Sequence, residues 1–215
     1  PVVYLDPYFL GDPLFVPGLA RDLAARKRAV VLVHGSGEAG EQALESLGRM
    51  PTASDGVWDA PDAEAREAVE RATRELNRQL AHELNEAGVP VVRVAGTDRG
   101  LLAAGDDVRV GRVGWLQTLV GQGVTVVVAA LAMDGETVVE VDAARSVSLL
   151  AAALDLPPLA LSNRSLSEDV TLDGLSNAVP DLAAVRRIAS GGSIRVGPRA
   201  LLRAPDGASL RHVTG

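Results

Sequence analysis

Val30-Val31-Leu32-Val33 runs straight into His34-Gly35-Ser36-Gly37, and Glu38 to Leu47 then follow with helical spacing. A β-favouring apolar strand, a glycine turn and a helix start, in that order, leave few folds open. They predict an α/β chain whose strands are covered by helices. The same junction is suited to an anion. Bare N–H groups and the positive end of a helix dipole converge on it, and glycines let a phosphate approach the main chain closely.

The rest of the chain repeats the alternation. Val2–Leu5 reads as a short buried strand, and Leu14, Phe15, Leu19, Leu23 and Ala24 give residues 12–27 a helical face. Residues 51–58 read as a loop. A long amphipathic helix follows, capped by Asp59 or Asp62, with Pro61 in its first turn and Gly88 as its stop. Val89–Ala95 is a strand entering the turn Gly96-Thr97-Asp98-Arg99-Gly100, in which Asp98 reads first as a turn former. Residues 108–113 form a short strand or hairpin arm, and 115–120 a short helix. Val124–Leu131 is apolar throughout, as for a strand buried on both faces. Asp134-Gly135 signals a hairpin, and Asp142 caps an apolar helix running to Leu154. Further strands are expected at 159–162, 193–196 and 209–213, a helix at 181–189 and a helical turn at 198–203, with 163–176 as a polar loop. The pattern predicts one domain over 1–215, a three-layer αβα sandwich with a mainly parallel central sheet.

Composition closes off several functions. A chain of 215 residues with 47% hydrophobic content can bury one substantial core. Its 21 basic against 28 acidic residues, net −7, disfavour nucleic acid or an anionic membrane as partner. Without cysteine there is no disulfide, thiol catalysis or thiolate metal site. Three histidines, His34, His82 and His212, without paired spacing argue against a zinc site. No run approaches the roughly 18 apolar residues needed to span a bilayer, and no secretory pattern opens the chain, so a cytoplasmic protein is expected. Lys27 is the one lysine among the residues of the chain.

Taken in order, these motifs resemble the amino-acid kinase superfamily, most closely the N-acetylglutamate kinases of arginine biosynthesis. The resemblance covers nearly the whole chain. It rests on VVLVHGSG and its helix, Asp55-Gly56, Asn77-Arg78-Gln79-Leu80, Gly96–Gly100, Val110-Gly111-Arg112-Val113, the Asp134-Gly135 hairpin and Val141-Asp142-Ala143. It implies transfer of the ATP γ-phosphate, with Mg2+, to the side-chain carboxylate of an acylated amino acid. It also implies a homodimer, or a hetero-oligomer with a paralogue.

Residue by residue, the glycine loop His34, Gly35, Ser36, Gly37 aligns with the family's phosphate loop, one glycine becoming serine. Tyr4 stands where the family has its first lysine, and Asp6-Pro7 replace glycines. Trp58 lies in the run that holds the substrate-binding arginine. Asp142 opens the Asn-Ala-Asp signature, whose final acid is Ala144 here. Ala178 falls where the late lysine is expected, and Asn163 and Arg164 fall at the nucleotide end. The resemblance therefore implies the family's fold with its charged machinery removed. Arg145, Arg164 and Arg99 are the arginines able to act as phosphate clamps instead. Two functions stay open: an acetylglutamate-kinase-like enzyme with impaired catalysis, or a catalytically silent regulatory or scaffolding subunit. A third, an α/β-hydrolase using His34–Gly37 as oxyanion loop and His212 as triad base, fails for want of a G-x-S-x-G elbow. The nearest run is Gly174-Leu175-Ser176-Asn177-Ala178.

Overall fold

The computed structural model describes residues 1–26, 28–163, 172–203 and 211–213. In chain order the elements are β1 (Val2–Tyr4), α1 (Pro7–Leu10), α2 (Phe15–Ala24), β2 (Val31–His34), α3 (Glu38–Ser46), β3 (Ala53–Ser54), β4 (Val57–Trp58), α4 (Ala63–Glu86) and β5 (Val91–Ala95). Then come β6 (Leu102–Ala103), β7 (Arg109–Val110), α5 (Gly114–Gly121), β8 (Thr125–Ala129), β9 (Leu131–Asp134), β10 (Thr137–Glu140), α6 (Ala143–Leu154), β11 (Pro158–Ser162), α7 (Leu182–Ala189), β12 (Ile194–Pro198) and β13 (Arg211–Val213).

Seven strands form the central sheet in the order β13-β12-β11-β1-β2-β8-β5. Six are parallel, and β13 runs antiparallel to β12. Strand periodicity sends alternate side chains to two separate cores. Val3, Leu5, Val30 and Leu32 pack under α2 and α4, against Phe15, Leu19, Leu80 and Leu84. Val2, Tyr4, Val31 and Val33 face the other way, against α5, α6 and α7. The expected αβα sandwich is thus present.

The structure corrects several boundaries. The apolar run 124–131 is not one strand: β8 stays in the central sheet, while β9 turns away after Ala130 into a second sheet, β10-β9-β6-β7. The stretch 51–58 is a hairpin rather than a loop, turned by Asp55 and Gly56, both at positive φ. The helix expected over 12–27 is α2, shorter at both ends, and a separate short helix, α1, precedes it. Asp62, not Asp59, caps α4 by accepting from Ala65 N at 2.9 Å, which leaves Pro61 outside the helix. Of residues 163–176, only Asn163 and 172–176 are among the described residues, the latter with a 3-10 turn at Asp173–Leu175.

Candidate active site

The chain leaves β1 toward α1 and α2 on one face of the sheet, and leaves β11 toward α7 on the other. Neighbouring strands whose connections part in this way open a crevice at their carboxyl ends, the usual ligand position in such sheets. Here the crevice is bordered by the end of β1, the glycine loop after β2 and the starts of α6 and α7.

The glycine loop is held from below. His34 is fully buried. Its Nδ1 lies 2.8 Å from Gly35 O and its Nε2 3.0 Å from Asn77 Nδ2 on α4. The Asn77 NH2 group, which also donates to Val127 O, can only donate, so Nε2 accepts and Nδ1–H donates to the carbonyl. Burial pushes the imidazole down to about 4, and it is neutral at pH 7. Gly37 takes φ +52°, which favours glycine. A Cβ on Gly40 would collide with Ser36 and Trp58, so that glycine is needed where α3 passes over the loop. Trp58 donates its indole N–H to Gly37 O at 2.9 Å.

At the mouth, Tyr4 is buried at the end of β1. Burial first, and then the carboxylates of Asp6, Asp181 and Asp142, hold its phenol well above its ordinary range. Asp6 accepts from Tyr8 N at 2.9 Å and caps α1. Burial, with Asp181 adding to it, raises its carboxyl to about 6 against the pull of those N–H groups. Asp181 caps α7 by accepting from Ala184 N. Asp142 caps α6 through Ala144 N at 2.8 Å. Burial pushes the Asp142 carboxyl up, while Arg187 opposes the shift.

Arg187 is a charged residue of this crevice that the sequence did not point to. From α7 its Nε reaches Asp142 Oδ2 at 2.7 Å and its Nη2 donates to Asp55 O at 3.1 Å. It lines a cleft of about 370 Å³ with Asp55, Asp106, Asp107, Asp142 and Arg145. Arg145 is paired there with Asp107 at 2.8 Å. Glu140, also missed, places a carboxylate oxygen on the Ser36 N–H.

The remaining expectations separate. Tyr4, Asp142, Trp58 and the loop His34–Gly37 do gather at this end of the sheet. Ala144 is a core residue of α6 with no exposure. Ala178 is buried, with its carbonyl accepting from Asn163 N at 2.9 Å; the side chain facing Tyr4 and Asp6 from that part of the chain is Asp181. Asn163 is exposed. Arg99 lies over the Trp115 ring at 5.3 Å, beside edge strand β5, and so is away from the crevice. Arg164 and Lys27 lie outside the described residues, as does the side chain of His212. Among the described residues no group of three or more His, Asp or Glu is arranged to hold a metal ion, and no helix is long and apolar enough to cross a membrane.

No protein-family model matches the chain. Several acetylglutamate kinases are similar to it. That of Roseiflexus sp. (strain RS-1) is 34% identical over 158 residues, 67% of this chain and 60% of the relative. That of Rubrobacter xylanophilus is 32% identical over 176 residues, 76% of this chain and 69% of the relative. The match thus spans three fifths to just over two thirds of these relatives' lengths. Among solved structures, an isopentenyl phosphate kinase superposes with a TM-score of 0.68 at 13% identity, covering 99% of this chain and 98% of the other. The N-acetylglutamate synthase from Neisseria gonorrhoeae superposes at 0.67 and 17% identity, covering 100% and 59%. Both likenesses concern the fold alone. With a sheet of six parallel strands and relatives at this identity, the chain belongs to the amino-acid kinase family, among its acetylglutamate-kinase-like members.

Proposed function

We propose that this protein is an acetylglutamate-kinase-like subunit whose phosphoryl transfer is silent or severely impaired, and that it acts as a regulatory or scaffolding partner of a lysine-complete paralogue. The surroundings of Tyr4 carry this reading. Phosphoryl transfer depends on positive charge fixed around the transferred group. A MgATP triphosphate brought to the ends of β1 and β2 would meet Asp6, Asp142, Asp181 and Glu140. Arg187 is a cation that acts on Tyr4, and it is already committed to Asp142 and Asp55. These groups do not fit a triphosphate. Losing one stabilising group of this kind costs on the order of 10²–10³ in rate, and here both lysine positions hold uncharged residues, Tyr4 and Ala178, with the carboxylates Asp6 and Asp181 beside Tyr4.

The test is a hydroxamate assay for acyl phosphate together with calorimetric titration of MgATP and of N-acetyl-L-glutamate. The expected result is no acyl phosphate above background and no MgATP binding. Turnover in the ordinary kinase range, about 1–100 s⁻¹, would overturn the proposal. Co-purification from the native cell tests the partner: a lone homodimer with robust turnover would refute it. A second reading, a working kinase in which Arg187 replaces a lysine, is favoured by that residue's reach into the crevice, and it requires MgATP to bind.

A further inference from the structure

Glu140 ends β10, opposite Leu131 on β9 and two residues ahead of the Asp142 cap. This position carries its side chain over the glycine loop. Oε1 accepts from Ser36 N, and a Cβ on Gly35 would lie 3.0 Å from the same oxygen. Oε2 is sealed from solvent with no hydrogen-bond partner. Burial pushes the carboxyl up, against the main-chain N–H groups of Ser36 and Trp58 and the Ser36 hydroxyl, which favour its charge. The other approaches to the loop are also filled. Pro7 Cβ lies 3.3 Å from where a Cβ on Gly37 would be, and Trp58 lies against Gly40 and bonds to Gly37 O.

A carboxylate sealed in this way is costly unless the site compensates it. The N–H groups of a glycine turn at a helix start are such compensation. We propose that the Glu140 carboxyl is the resident ligand of this loop. It occupies the position a phosphoryl or carboxylate ligand would take, and it determines that the loop admits no external anion while it is in place. This deepens the silent-subunit reading, on which its functional meaning rests, because the best-kept part of the family's site is then filled by the chain itself.

The probe is inorganic phosphate, titrated into the full chain and into Glu140→Ala and Glu140→Gln, followed by calorimetry and by the amide NMR signals of Gly35, Ser36 and Gly37. The unchanged protein is expected to show no saturable response at these amides. Glu140→Ala is expected to bind phosphate at least tenfold more tightly, with the three amides shifting. Glu140→Gln keeps the volume as well as an oxygen for Ser36 N, so it is expected to gain far less than Glu140→Ala; Glu140→Ser, a second shortened side chain, decides if the alanine variant does not fold. Equal amide shifts in the unchanged protein, or a folded alanine or serine variant with no gain, overturn the proposal. Acyl-phosphate assays on the same proteins keep the two readings apart. Turnover by the unchanged chain would end the silent-subunit reading, whereas absence of a phosphate gain would end the role of Glu140 whatever the turnover.

Discussion

Asp6 serves its helix and strains its surroundings at once. Its carboxylate caps α1 through Tyr8 N, yet it is buried beside Asp181, and its proton is held up to about 6. A carboxyl raised from 3.8 binds its proton more tightly in the folded state than in the unfolded chain. It therefore contributes stability that is fully present below pH 3.8 and is lost as pH rises through about 6. Asp6→Asn keeps a good cap and removes the charge. It should stabilise the protein by up to about 3 kcal/mol at pH 7.5, taking about 1.4 kcal/mol per pKa unit, and by little at pH 4. Urea midpoints at the two pH values check this; an equal gain at both would show that charge is not the cause. His34 works in the opposite sense. Its pKa is depressed from 6.5 to about 4, so its contribution is present above pH 6.5 and is lost as pH falls through 4. In the Asp6→Asn variant this loss stands uncovered, and stability should fall as pH drops from 6.5 to 4. At this scale the sequence was legible where the partner is local: Asp142, Asp62 and Gly37 each act within three residues. Arg187, Glu140 and Asp181 were not legible, because their meaning comes from partners far along the chain. Arg187 meets Asp55 across 132 positions and Glu140 meets Ser36 across 104.

Arg187 also makes a clasp between elements. One guanidinium joins α7 to the N-terminus of α6 and to the β3–β4 turn, the end of the hairpin opposite the one that Trp58 anchors to Gly37 O. Breaking a buried ion pair costs 3–5 kcal/mol. This pair is about a fifth exposed on the arginine side, and Asp142 keeps its Ala144 N–H, so the cost should be lower. Arg187→Ala is expected to destabilise by about 1–3 kcal/mol and to speed hydrogen exchange in residues 53–58. Arg187→Lys keeps the charge but loses the fork that spans two partners, so it should restore stability in part while the hairpin stays loose. Unchanged exchange at 53–58 in both variants would disprove the clasp. The long elements were legible from period alone: α4 from its amphipathic face, β8 from its apolar run, α6 from its cap. The two-residue strands were not, since nothing local distinguishes Val57–Trp58 or Leu102–Ala103 from a loop until a partner strand lies beside it.

The alternation of strands and helices along the chain implied a parallel sheet between two helical layers, but not the strand order, which depends on which faces fit together. The structure puts β1 at the centre, so the earliest segment is held by the latest. Asp22 of α2 is buried to 1% exposure and takes two arginines from the turn after β12, Arg199 at 2.8 Å and Arg203 at 2.5 Å. Arg199 also donates to Phe15 O at 3.1 Å and lies over the Phe15 ring, in space that a Cβ on Gly18 would fill. This clamp closes the α2 layer over the sheet. Asp22→Ala leaves two guanidinium groups that are 34% and 55% exposed and can return to water, so the cost should stay near 2 kcal/mol, below that of a fully buried broken pair. Its signature lies in where protection is lost. Amides of 199–203 should exchange faster by a larger factor than those of β2 and β8, because those strands sit in the middle of the sheet and open only with the whole molecule. A uniform rise across all three segments would mean that the clamp stabilises the fold as one unit and that the 199–203 turn has no separate opening. A rise confined to the turn would make Asp22 the latch that holds this late segment against the first third of the chain.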